Sequence, residues 1–121
     1  MKLHHIGVNV SHLRKSIEFY KSQFGFEEES HFIFMEEEIV FLTLGDFRLE
    51  LVSSNEENQL NTHICFEVNN LTDVMAKSKT LRKMEGPYEL DNGWQTVFYE
   101  GPNQEIVELL QVSSANSKLI R

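Results

Sequence analysis

The sequence predicts an α+β fold, with two tandem βαβββ modules forming a curled mixed sheet around a central site and helices on the outside. Three observations predict it. Residues 3–10, LHHIGVNV, alternate with period two, as a half-buried strand does. Leu13, Ile17, Tyr20 and Phe24 then fall at helical spacing, with Arg14, Lys15, Glu18 and Lys21 outside the apolar stripe. Finally, the order of elements restarts: shifted by 58, HIGVNVSHL (5–13) lies over HICFEVNNL (63–71), and LEL (49–51) lies over VEL (107–109).

Each element has its own signal. In the first strand Ile6, Val8 and Val10 face one way, and His5, Gly7 and Asn9 the other. Ser11 is the expected N-cap of the first helix and Gly25 its terminator. Residues 26–35 read as a strand, Glu36 to Glu38 as an acidic turn and IVFLTL (39–44) as a strand. Gly45-Asp46 reads as a tight turn and residues 47–52 as a further strand. The polar stretch SSNEENQLN (53–61) reads as a linker. In the second half THICFEV (62–68) is a strand, and Asn70 caps a helix over Leu71, Val74, Met75, Lys79 and Leu81. A Gly86-Pro87 turn precedes a short strand near 88–90, a turn at 91–93 precedes a strand over 94–99, and a turn at 101–103 precedes the last strand, 105–111. The whole reads as a single domain, 1–121, built of modules 1–52 and 62–112 and ending in a loose polar tail, 113–121.

Composition narrows the partners. Eleven Lys and Arg against nineteen Asp and Glu leave a net charge of −8, which argues against nucleic acid or an anionic membrane surface as a partner. The apolar runs are too short to span a bilayer, and MKLHHIGVNV lacks the pattern of a signal peptide. The single cysteine, Cys65, excludes an internal disulfide and fits a cytoplasmic location. The open sheet edge of a βαβββ unit needs a partner, so a homodimer is expected, with the site formed within one chain or across two.

The chemistry rests on two matched pairs. His5 precedes Glu50 by 45 residues, and His63 precedes Glu108 by the same 45. Each His opens a strand on the face turned away from the core, and each Glu sits between large apolar residues, in Leu49-Glu50-Leu51 and Val107-Glu108-Leu109. A carboxylate there lies on a solvated face or turns into a concave site. Two imidazoles and two carboxylates suit a divalent cation such as Zn, Ni, Co, Mn or Fe, and four protein ligands leave positions open for water or substrate. The bland reading is a structural strand His and a solvated strand Glu.

These segments bring the chain to a known family. HHIGVNV, SIEFYKSQFGF (16–26), LELV, HICFEV and GPNQEIVELL (101–110) resemble, in the expected order, the vicinal oxygen chelate superfamily. That group includes glyoxalase I, methylmalonyl-CoA epimerase, extradiol dioxygenases, and fosfomycin- and bleomycin-resistance proteins. The resemblance implies His5, Glu50, His63 and Glu108 as the metal ligands, the set of bacterial glyoxalase I. It implies a metal-dependent lyase or isomerase acting on a small carbonyl substrate, with a thiol adduct as one form of that substrate. Glu108 and Glu50 would be the catalytic bases, Glu108 slightly favoured. Asn9, Ser53-Ser54 and Gly101-Pro102-Asn103-Gln104 depart from the glyoxalase I pattern, and these departures bear on glutathione rather than on the metal. An epimerase, a thiol transferase and a non-catalytic small-molecule-binding protein are the competing readings on the same scaffold.

Secondary candidates complete the list. Arg48 shares a strand face with Glu50 and could bind a substrate anion, or pair with a neighbouring Glu at the rim. Trp94 and Phe98 could wall a substrate pocket, or pack in the core. Cys65 reads as a buried, inert thiol; His4, His12 and His31 as surface or edge residues; and the runs Glu27–Glu29 and Glu36–Glu38 as solvated loop charges.

Overall fold

A computed structural model of the chain describes residues 1–54 and 62–112. Most of the expected linker, from residue 55, and the tail from 113 lie outside the described residues. The elements run β1 (Lys2–Val10), α1 (Leu13–Phe24), β2 (Glu27–Phe34), β3 (Glu37–Leu44), β4 (Phe47–Ser53), β5 (Thr62–Glu67), α2 (Leu71–Lys77), β6 (Arg82–Glu89), β7 (Gln95–Glu100) and β8 (Ile106–Gln111). The fold is α+β, and each half follows the order βαβββ. The chain divides into two compact units, His5–His63 and Met1–His4 with Ile64–Arg121.

In the first unit the strand order is β2-β3-β4-β1. β1 pairs parallel to β4, with Ile6 opposite Leu49 and Gly7 opposite Glu50. β3 pairs antiparallel to β4, with Phe41 opposite Glu50, and β2 closes the run antiparallel to β3. Alternation then sorts the side chains. Val40, Leu42, Leu49 and Leu51 form a core with Leu13 and Ile17 of α1 and with Phe26, and Val8, Val10 and Tyr20 pack against it. The opposite face carries His5, Glu50 and Phe41. Gly25 ends α1 in the left-handed conformation (φ 81°), where only glycine is at ease. There the N–H groups of Gly25 and Phe26 bond the carbonyls of Lys21 and Tyr20.

The second unit repeats the plan, in the order β5-β8-β7-β6. Its core joins Val68, Leu71, Val97, Tyr99 and Leu109, flanked by Phe66, Val74, Met75 and Val107. α2 starts as the sequence predicts: the Asn70 side chain accepts the Asp73 N–H at 3.0 Å.

Several local expectations are corrected. Ser11 does not cap α1. His12 holds the N-cap position without a side-chain bond, because the helix begins at Leu13 and the Ser11 hydroxyl stands one residue too early. α2 stops at Lys77, and Leu81 is exposed; beyond Met75 there is no further apolar face to bury. β6 is a full eight-residue strand rather than a short one near 88–90, since pairing with β7 extends it back to Arg82 across two irregularities, between Lys83 and Glu85 and between Glu85 and Tyr88. The hairpin between β2 and β3 turns at Met35 and Glu36, both with positive φ, as a type I′ two-residue turn demands. Glu37, Glu38 and Glu27–Glu29 therefore lie in strands, not loops. Trp94 stands just before β7 rather than within it.

Candidate metal centre

The centre begins with the period of β1. His5 and Gly7 share the face away from α1, and the register sets Gly7 beside Glu50. Glu50 thus lies between a residue with no side chain and the ring of Phe41 on β3. The empty place at Gly7 is filled by His63, since a β-carbon on Gly7 would overlap the His63 ring. His5 is held on its other side by Phe41, with ring centroids 5.0 Å apart.

Three donor atoms meet there. Nε2 of His5 and Nε2 of His63 are 3.1 Å apart. Oε1 of Glu50 lies 3.5 Å from the first nitrogen and 3.1 Å from the second. The His5 and Glu50 side chains are buried, and His63 is nearly so. A buried carboxylate beside two imidazoles is costly to desolvate unless positive charge sits among them. The spacing suits a cation as that charge. Ligand atoms about 2.0–2.2 Å from a metal stand roughly 2.9–3.5 Å from one another in tetrahedral or octahedral arrangement. Two neutral imidazoles and one carboxylate are also the donor types that first-row divalent metals accept. The residues present therefore fit such an ion.

Glu108 belongs to the second unit. It is buried on β8, opposite Phe98 of β7, as Glu50 stands opposite Phe41. The Thr96 hydroxyl donates to its Oε2 at 2.5 Å. Cys65, two residues after His63, is fully buried, as expected.

The secondary candidates separate. Arg48 makes a two-pronged contact with Glu29, Nε to Oε1 at 2.7 Å and Nη2 to Oε2 at 3.1 Å, and its guanidinium carbon lies 5.9 Å from the centre of the Phe41 ring. Trp94 meets His4 edge-on, centroids 5.4 Å apart. His4 is accordingly buried, not a surface residue, because the ring contact covers it. His31 is exposed and pairs with Glu38, and His12 is exposed. Phe98 is half-buried across from Glu108. Two residues beside the candidate carboxylates escaped the sequence reading. Gly7 could have been found from its place two residues after His5. Thr96 carried no motif signal.

The comparisons with known proteins give the family. The sequence matches the family profile of the Glyoxalase/Bleomycin resistance protein/Dioxygenase superfamily over residues 2–109. The chain belongs to this superfamily. No curated protein matches the sequence. Solved structures share the superfamily fold at low identity. A hypothetical protein from Bacillus halodurans C-125 superposes with a TM-score of 0.79 at 19% identity, covering 93% of this chain and 95% of that one. Methylmalonyl-CoA epimerase from Mycobacterium tuberculosis gives 0.76 at 15% identity, covering 97% and 91%. A variant of the Streptomyces coelicolor methylmalonyl-CoA epimerase, in complex with 2-nitronate-propionyl-CoA, gives 0.75 at 19% identity, covering 94% and 96%. Among the described residues no helix is long and apolar enough to cross a membrane.

Proposed function

We propose that this chain is a metal-dependent lyase or isomerase of the glyoxalase I type, which moves a proton at a carbon next to a carbonyl of a small substrate or its thiol adduct. The observation that carries the reading is the convergence of His5, His63 and Glu50, with donor atoms 3.1–3.5 Å apart. These three residues would hold the divalent cation, and Glu108 completes the set by its equivalent place in the repeat. When bound, the cation would supply Lewis-acid polarisation of the substrate carbonyl and offset the negative charge that develops on its oxygen.

The protein's own groups do the rest. Phe41 fixes the His5 ring and gives Glu50 an apolar neighbour, so these side chains keep one geometry. A Glu carboxylate takes the proton from the carbon and returns it. Glu50 and Glu108 are the two candidates, and Glu108 is preferred from the resemblance of the last strand. One base returning the proton to the neighbouring carbon gives isomerisation; one base on each face gives epimerisation.

The second reading is an epimerase acting on a thioester. It is favoured by the methylmalonyl-CoA epimerases among the structural neighbours and by the paired placing of the two Glu in the repeat. Elemental analysis of protein purified without chelator, followed by proton exchange in deuterated water with hemithioacetals and with 2-substituted acyl thioesters, tests both. Near-stoichiometric metal that is lost in His5→Ala supports the centre. Equal, sub-stoichiometric metal in both proteins overturns it.

A further inference from the structure

The two halves match at their carboxylates but not around them. Glu50 faces Phe41 across the strands, and Glu108 faces Phe98. Two residues before each Phe the match fails: the first half has Ile39 and the second has Thr96, both buried. Ile39 brings only carbon. Thr96 brings a hydroxyl whose oxygen is 2.5 Å from Oε2 of Glu108 and 3.2 Å from the carbonyl of Leu109. The hydroxyl has one hydrogen, and the shorter contact is the one that takes it. Glu50 is set differently, by two imidazole nitrogens.

We propose that Thr96 is the positioning residue for Glu108, fixing the rotation of its carboxylate so that the group enters the metal ligand set in one orientation. The inference rests on the metal-centre reading above. A carboxylate on a Glu side chain has three rotatable bonds before it. A donor on the adjacent strand, itself locked by burial and by strand register, removes the last of that freedom. Partners that orient ligands in this way typically contribute 10–100-fold to metal affinity. In the first half the position equivalent to Thr96 is Ile39, which offers Glu50 no hydroxyl.

The test measures Co(II) and Zn(II) affinity of the whole chain by competition with a chromophoric chelator, together with the visible absorption of the Co(II) form. Thr96→Val keeps the shape and removes the donor, Thr96→Ser restores it, and Glu108→Gln removes the ligand charge. The expected result is a 10–100-fold loss in Thr96→Val with an altered Co(II) spectrum, and recovery to within about threefold in Thr96→Ser. Should Thr96→Val fail to fold, Thr96→Ala carries the same expectation. Wild-type affinity in a folded Thr96→Val protein, with Glu108→Gln weakened, overturns the role of Thr96 and leaves the centre standing. Wild-type affinity in Glu108→Gln overturns the ligand assignment and this inference with it.

Discussion

The imidazole of His63 occupies the space that a side chain at Gly7 would fill. Gly7 is therefore part of the candidate centre although it donates nothing to it. Its hydrogen leaves room for His63 beside His5 on β1 and Glu50 on the neighbouring β4. Gly7→Ala puts a methyl group where the ring lies, so the ring must swing away. The expected outcome is metal affinity reduced by about tenfold or more, comparable to loss of an orienting partner, in a protein whose far-ultraviolet circular dichroism is native. Undiminished affinity would mean that His63 reaches the metal from elsewhere or not at all.

Metal binding should couple to stability through His5. A ligand that binds only the folded state adds about 2.7 kcal/mol at a hundred times its Kd. Wild-type protein with added Zn(II) should melt several degrees above the chelator-treated form, and His5→Ala should show almost no difference between the two. An equal shift in both proteins places the metal at another site.

The helix starts give a paired test. Asn70→Ala removes a side-chain cap and should cost about 1 kcal/mol in urea unfolding. Ser11→Ala should change stability by less than about 0.5 kcal/mol, because α1 begins without a side-chain cap. Equal losses would show that Ser11 caps the helix in solution.

Ile17 anchors α1 on its sheet in the middle of the first core. Ile17→Ala should destabilise by about 2–5 kcal/mol, the usual range for such a truncation. Metal stoichiometry of the folded fraction should stay unchanged, because Ile17 lies on the face opposite His5 and Glu50. A loss below 1 kcal/mol would mean that the helix is not held there.

Arg48 and Glu29 are both partly exposed, so solvent screens their contact despite its two-pronged geometry. A double-mutant cycle should give a coupling of less than about 1 kcal/mol. If Arg48 also binds a substrate anion, Arg48→Ala should raise KM far more than it lowers kcat. No change in KM removes it from the substrate site.

Much of this was legible in the residues themselves. Period-two alternation in LHHIGVNV, the helical stripe from Leu13 to Phe24 and the 58-residue repeat are local signals, written in side-chain polarity along the chain. They determined the α+β class, the βαβββ order and the face on which His5 and Glu50 stand. Boundaries were less legible. Glu36–Glu38 looks like a loop by charge, yet pairing with β2 draws Glu37 and Glu38 into a strand. The extent of β6 was likewise set by β7.

What the sequence by itself determined is thus the fold class, the order of the elements and the strands on which the four candidate residues stand. Only the tertiary structure decided that Gly7 makes room for His63, that three donors lie within 3.5 Å of one another, and that Thr96 rather than a second Ile attends Glu108. The physical reason is reach. Polarity patterns fix which way a side chain faces along its own strand, whereas the atom it meets depends on the register of strands far apart in the chain, which hydrogen bonding across the sheet sets.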